Sequence, residues 1–469
     1  MCSGACVTHK ERTNMIEKKK MHFIGIGGIG MSAIARILNR EGHEITGSDE
    51  KESLIIKNMR REGIKCYIGH SEKNLGDCDI VVYSSSIDRD NVELRLAREK
   101  GFTIMHRAEM LSKMLDGKKS VAVTGAHGKT TTTATLALTF KEAGMDPTAA
   151  IGGEALNFQS NAVHGKGDYF ILEADESDGS FLKFYPDYAV LLNIDREHFD
   201  YFKNIENAID VYQRFIGNVK KDGTVFYNAD DMRLKSLLDG YPGKKVSFGI
   251  IGNPEIKAID IKQIGLAMHF RCVIRDKVMP EELTFSVPGR HNVINALAVI
   301  AVAYDAGIDF EVIKASLASY KGTKRRFEIK DTDNGFMLVE DYAHHPTEIA
   351  AVLRACEPLK KNRIVVFQPH RYTRTKDLFE EFIDCFRYGE HIILTDIYAA
   401  SEKAIRGVTA KRLFLEMKRR GMKNVEYMKK DAITKRIKDI AGEDDIVLVL
   451  GAGDINDVAA ELAHKESVE

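Results

Sequence analysis

Cysteine is scarce in this sequence: seven among 469 residues. The number is odd and the spacing shows no paired CxxC or neighbouring His-ligand pattern, which argues against a disulfide scaffold or a zinc ribbon and favours a reduced, cytoplasmic protein. An excess of one charge is also missing. Lys plus Arg number 68 and Asp plus Glu 69, for a net charge of -1, so no global field draws the chain to nucleic acid or an anionic membrane. Long apolar runs are lacking too: the longest, residues 296–304, has nine residues, well short of the roughly 18 that suggest a membrane span. Residues 1–20 hold Cys2, Cys6 and a lysine triplet but no apolar stretch for a secretory signal or lipidation. They are expected to form a disordered leader, with Met15 and Met21 as alternative starts. With 44% apolar residues, the chain has material for about three globular domains.

The hydrophobic pattern divides accordingly. Residues 21–112 begin with an apolar segment at 22–26, a glycine cluster, an amphipathic stretch at 31–40 and another strand at 44–47, a βαβ opening. Further strands are expected at 80–83 and 102–105, with a helix at 92–99 between them and a linker at 116–119. Residues 113–322 carry strands at 120–123, 169–172 and 188–194 and helices at 131–143 and 292–304. Residues 323–469 carry strands at 336–339, 363–367, 391–395 and 446–450 and helices at 347–354, 377–386 and 410–420. Strands alternating with helices predict a three-domain α/β protein with parallel sheets: a Rossmann-like nucleotide-binding domain, a P-loop ATPase-like domain and a second Rossmann-like domain.

Two glycine clusters carry chemistry. Gly25-Ile26-Gly27-Gly28-Ile29-Gly30 satisfies GxGxxG, and Asp49 stands near the distance of a ribose-binding acid. Helix N-terminal amides hold any diphosphate, so a dinucleotide and a nucleotide sugar both remain open. The second cluster, Thr124-Gly125-Ala126-His127-Gly128-Lys129-Thr130-Thr131, lies between a strand and a helix. Its amides can wrap phosphates, Lys129 offsets β/γ charge and Thr130 reaches Mg²⁺. Val123 stands where the first glycine of GxxxxGK[ST] belongs, making this a short variant. Glu173, at the carboxyl end of a buried strand, is a candidate Mg²⁺ ligand. Asp175, Glu176 and Asp178 follow as an acidic loop, for which solvation is an equal alternative in the case of Glu176 and Asp178. His198, after a third strand end, completes the candidate metal set of Thr130, Glu173 and His198.

Taken in order, residues 25–32, 124–132, 173–176 and 193–200, His291-Asn292-x-x-Asn295, Arg325-Arg326-Phe327, Asp341-Tyr342-Ala343-His344-His345-Pro346 and the octapeptide at 368–375 resemble the Mur ligases over essentially residues 21–460. The octapeptide is the most specific mark. The resemblance is nearest to the branch that uses ATP and Mg²⁺ to join L-alanine to the lactyl carboxylate of UDP-N-acetylmuramic acid through an acyl phosphate, an early cytoplasmic step of peptidoglycan precursor synthesis. It implies that residues 21–112 hold the UDP-sugar, with Gly28, Ile29, Gly30, Ser32, Asp49, His70, Ser85 and Ser86 as contacts. ATP falls to Gly125, Ala126, His127, Gly128, Lys129, Thr130, Thr131, His291, Asn292, Asn295, Arg326 and Asp341. The asparagines would face adenine, though helix capping is their bland alternative. Tyr342, His344, Arg371 and Arg374 are implied for the amino acid, the two arginines clamping its carboxylate. Lys129, Glu173, His198, Arg326 and His344 form the implied catalytic set, with His344 or His198 as the base. Closure around 322–324 would complete the site.

The sequence departs from the family pattern at Ala126 (usually threonine), Ala343 (often glycine) and Glu197 (often aspartate). Gln213 stands where some relatives carry a carbamoylated lysine. A monomer or homodimer is expected, without nucleic acid or membrane. Three rivals stay open: a recycling ligase that adds a peptide, a nicotinamide oxidoreductase, and a nucleotide-controlled binding module.

Overall fold

The strand Lys20–Ile24 lies at the middle of a five-stranded parallel sheet, because its residues from Met21 on are buried on both faces, three of them apolar and the fourth, His22, hydrogen-bonded to Thr46 and Glu93. The sheet order is Lys65–Ile68, Glu44–Asp49, Lys20–Ile24, Ile80–Tyr83, Thr103–His106. The computed structural model describes residues 18–196, 199–400 and 402–463. Described residues up to Met114 form one compact unit and those from Leu115 a second.

The second unit holds two sheets. One has ten strands in the order Lys277–Phe285, Ala267–Ile274, Ile256–Ile264, Lys244–Gly249, Thr224–Asn228, Tyr188–Leu191, Lys119–Thr124, Tyr169–Glu173, Thr148–Ala155, Ser160–Val163. It is parallel through the middle and antiparallel at both edges. The helices Lys129–Glu142 and Arg290–Asp305 pack with it in one core that includes Val123, Phe140, Phe226 and Leu297. Each such large side chain contributes about 1.5–3 kcal/mol when fully buried. The other sheet runs Glu328–Lys330, Met337–Asp341, Asp445–Leu450, Asn362–Phe367, His391–Leu394, Val425–Tyr427, parallel except at its first strand. Separate apolar clusters cover its two faces, one around Leu353 and Phe382, the other around Ile433 and Val458.

The expected α/β architecture is present; several element boundaries differ. The strand expected at 188–194 ends at Leu191, and the rest leaves the sheet as a loop whose polar side chains hold the phosphate loop. The helix expected at 377–386 is two, Tyr372–Asp377 and Phe379–Cys385, broken at Leu378 where φ is -114°. The expected linker at 116–119 follows a helix, Arg107–Met114, and its last residue opens a strand. The eight-residue helix Leu54–Arg61 lies outside the elements expected from the sequence pattern. The described cysteines, Cys66, Cys78, Cys272, Cys356 and Cys385, are free and buried. No helix among the described residues is long and apolar enough to cross a membrane.

Candidate active site

In the first unit the glycine turn joins Lys20–Ile24 to the helix Ile29–Arg40, with Gly28 as N-cap. The carbonyl of Ser48 accepts from the amides of Gly25 (2.8 Å) and Ile26 (3.0 Å), and the Asp49 carboxylate accepts from the Gly27 amide at 3.0 Å. Asp49 thus braces the loop itself. Ser32 is fully buried and its hydroxyl donates to the Ile29 carbonyl, while Ile29 is exposed. His70 pairs through Nδ1 with the Ser48 hydroxyl at 2.9 Å, Ser85 with His106 at 2.9 Å, and Ser86 with Ser84 at 2.7 Å. A cation that the sequence pattern did not reveal stands over the turn: a Cβ on Gly30 would lie 2.7 Å from Nη1 of Arg107.

In the second unit the phosphate loop leaves the strand Lys119–Thr124 and enters the helix Lys129–Glu142. Gly128 has φ +87°, and a Cβ there would meet the Asn295 amide oxygen at 2.4 Å, so only glycine fits. Asn193 clamps the loop by two bonds: its Oδ1 accepts from the His127 amide at 2.8 Å, and its Nδ2 donates to the His127 carbonyl at 3.0 Å. Lys129 Nζ donates to the Gly125 carbonyl (2.6 Å) and to Glu176 (3.0 Å). Burial would lower the pKa of this lysine, but the carboxylates of Glu176, Asp175 and Glu173 outweigh it and raise the value. Glu176 is therefore no solvated loop residue; it is 2% exposed and carries the lysine's counter-charge.

Two adjoining cavities meet at this loop. The larger, about 400 Å³, is bordered by His127, Gly128, Thr130, Thr131, His291, Asn292, Asn295, Arg326 and Asp341, which brings together most of the expected ATP set. Asn292 Nδ2 donates to the Pro288 carbonyl at 2.7 Å, and Asn295 Nδ2 donates to Asn292 Oδ1 at 2.9 Å; the helix N-cap is Gly289, with no side-chain cap bond, so the asparagines line the cavity without capping the helix. Asp341 accepts from the Phe327 and Ala343 amides, both at 2.7 Å, and burial pushes its carboxyl up to about 6 against the pull of Arg326 and those amides. The smaller cavity, about 310 Å³, is bordered by Ala126, Lys129, Thr130, Glu173, Asp175, Arg326, Tyr342, His344, Arg371 and Arg374. Gly125 borders neither cavity; its carbonyl holds Lys129.

The donors for a divalent ion are hard oxygens. Glu173 lies against Thr130 and accepts from the Gly152 amide at 3.0 Å; burial raises its pKa, with Lys129 and Thr130 opposing. A Cβ on Gly152 would come within 2.1 Å of a Glu173 oxygen, so the chain leaves just enough room for that carboxylate. One hydroxyl beside carboxylates in a phosphate-sized cavity fits Mg²⁺, which keeps several waters and takes the rest from phosphates. His198 and Glu197 lie outside the described residues. His127, Asp195 and His345 also bring ligand atoms within 4.8 Å of one another. Yet His127 is held by carboxylates on both ring nitrogens and the Nδ1 of His345 accepts from the Thr347 amide, so this group is a hydrogen-bonded latch.

Arg371 sits at φ +69° as the N-cap of Tyr372–Asp377, and its amide donates to the Tyr398 carbonyl at 2.8 Å. Arg374 reaches back to His370, 3.1 Å from Nδ1. Arg325 bonds the Gly451 carbonyl at 2.8 Å, pairs with Glu340 at 2.8 Å and stacks on Tyr342. Sequence reasoning assigned no role to Asp195 or Glu348, because an acid in a loop or at a helix start normally reads as solvent-facing.

A glycine turn in the first unit, a phosphate loop flanked by acids, and an arginine pair at the edge of the last sheet thus occur in order along this chain, and family comparison places them in one class, the ATP-dependent ligases. The Mur ligase family catalytic domain matches residues 20–119, the Mur ligase middle domain 123–303 and the Mur ligase glutamate ligase domain 325–453. The chain belongs to the Mur ligase family. Within it, the chain is 42% identical to the UDP-N-acetylmuramate–L-alanine ligase of Pelotomaculum thermopropionicum, over 96% of this chain and 98% of that protein. It is 44% identical to the enzyme of the same name from Caldanaerobacter subterraneus, over 95% and 98%. The crystal structure of UDP-N-acetylmuramate-alanine ligase from Thermotoga maritima superposes with a TM-score of 0.82 at 29% identity, covering 95% of this chain and 98% of that one. A murein peptide ligase from Psychrobacter arcticus shares the fold, with a TM-score of 0.71 at 22% identity over 96% and 100%.

Proposed function

We propose that the protein is a cytoplasmic ligase joining L-alanine to the lactyl carboxylate of UDP-N-acetylmuramic acid at the expense of ATP. The observation that carries this reading is the smaller cavity, where the phosphate-loop lysine, Glu173 and the Arg371/Arg374 pair face one space. A phosphoryl donor and an amino-acid carboxylate require those two sets at once. Mg²⁺ on Thr130 and Glu173 would supply charge neutralisation for the transferring phosphoryl group. The UDP-sugar is assigned to the first unit, through the amides at Gly28 to Gly30 and the polar groups of His70, Ser85 and Ser86, with Asp49 bracing the turn through the Gly27 amide.

In the reaction a carboxylate oxygen attacks the γ-phosphorus and ADP leaves, with Lys129 and Arg326 countering the charge that develops. The amine of alanine then attacks the acyl carbonyl and phosphate leaves. Arg371 and Arg374 hold the amino acid by charge-assisted bonds to its carboxylate. His344 suits the base. Its Nδ1 lies 2.9 Å from the Tyr342 carbonyl, an acceptor only, so that nitrogen carries the proton and Nε2 keeps the lone pair.

The test is phosphate release from ATP with UDP-N-acetylmuramate and each of the twenty amino acids. Release confined to L-alanine, weaker with Ser and Gly, is expected. Release only with an alanyl peptide would move the protein to the recycling ligases, and none with any acceptor would overturn the reading.

A further inference from the structure

Glu348 serves two sets of partners. It is the third residue of the helix Pro346–Cys356, and its Oε2 accepts from the amides of His344 (3.0 Å) and His345 (3.3 Å). With His345 as N-cap this is a capping box, which alone would justify a Glu or Gln here. The other carboxylate oxygen points away from the cap, with Oε1 3.3 Å from Nδ1 of His127 and 3.6 Å from Nη1 of Arg326. Glu348 borders both cavities.

His127 is held on its far side as well. Its Nε2 lies 2.9 Å from Asp195, which also accepts from the Thr347 hydroxyl at 3.0 Å. An imidazole with carboxylate oxygens at both nitrogens satisfies both only when doubly protonated. His127 comes from the phosphate loop, Asp195 from the loop after Tyr188–Leu191, His291 from Arg290–Asp305, Arg326 from the segment leading into the third sheet and Asp341 from the end of its strand Met337–Asp341; with His344 these are the titratable and charged groups around Glu348, and burial keeps His291 neutral. Burial would raise the pKa of this carboxyl, but His344, His127 and Arg326 outweigh it and hold it well below the usual range.

We propose that Glu348 is a positioning residue for phosphoryl transfer, fixing Arg326 and the His127 side of the phosphate loop through one carboxylate oxygen, a role separable from its helix cap. This rests on the ligase reading for its kinetic part only.

Glu348→Gln separates the two roles, because an amide oxygen still accepts from the two backbone amides while the charge toward Arg326 and His127 is lost. We expect an unchanged melting temperature, a kcat lower by roughly 10- to 100-fold, and a KM for ATP within about threefold of wild type. In a histidine-selective NMR titration, the resonance assigned by its loss in His127→Gln should move its midpoint to lower pH by about one pH unit. A kcat within twofold of wild type, or an unmoved His127 titration, would overturn the proposal. If the wild type itself releases no phosphate with alanine, the ligase reading fails, and the titration still decides the role of Glu348.

Discussion

The two glycine turns differ in where their acids stand. In the first unit the acids lie behind the loop. Glu93, fully buried, accepts from His22, the Ser48 hydroxyl, the Ser71 amide and Asn74; Ser48 in turn holds the Gly25 and Ile26 amides, and Asp49 holds Gly27. The loop is a backbone surface on a rigid base, and the cation over it, Arg107, comes from another helix. In the second unit Glu173 and Asp175 border the cavity with Lys129 and Arg326, and Glu176 tethers the lysine. The proposed function gives the difference a reason: a loop that only grips a diphosphate would keep its acids for structure, whereas one that moves a phosphoryl group would present acids and cations together.

That contrast can be broken at defined points. The largest effect belongs to Lys129→Ala: kcat for phosphate release should fall by about 10³-fold or more, roughly 4 kcal/mol of transition-state stabilisation, with the circular dichroism spectrum unchanged. Near-normal turnover would remove Lys129 from the mechanism.

Next comes Glu93. Its folded-state carboxyl is depressed to about 2, burial being outweighed by four hydrogen-bond donors. A depressed acid stabilises the fold above its unfolded value, near 4.5, and loses that contribution as pH falls toward 2. Urea unfolding of wild type against Glu93→Gln should therefore show a difference of about 3 kcal/mol at pH 6 that shrinks steadily below pH 4.5. A pH-independent difference would mean that shape rather than charge matters at this site.

Arg371→Ala should raise the KM for alanine roughly 10- to 100-fold with ATP dependence little altered; an unchanged alanine requirement would reject the carboxylate clamp. The smallest effect is expected for Asp49→Asn. Its amide oxygen can still accept from Gly27, so the KM for the UDP-sugar should change by less than about threefold. A large rise would show that the charge of Asp49 touches the ligand, contrary to its bracing role.

Much of this was legible in the chain because it is local. Strand periodicity, the glycine clusters at 25–30 and 124–131 and the octapeptide at 368–375 are written in neighbouring residues, and their physics, helix N-terminal amides and positive-φ glycines, needs no long-range partner. The places of Arg325 and Glu176 were not legible, for the opposite reason. A charged residue beside a loop looks solvated until a distant element buries it, as Gly451 and Glu340 do for Arg325 and Lys129 does for Glu176.

The sequence by itself determined the α/β layering, the two glycine turns, the order of the three sheets and the residue types from which a ligase site can be made. Only the tertiary structure decided which of those residues meet. Asn193 finds His127 across 66 residues and Glu348 finds it across 221. Whether an acid braces backbone, balances a lysine or faces a cavity depends on the field and burial supplied by segments far away in the chain, and periodicity carries no record of either.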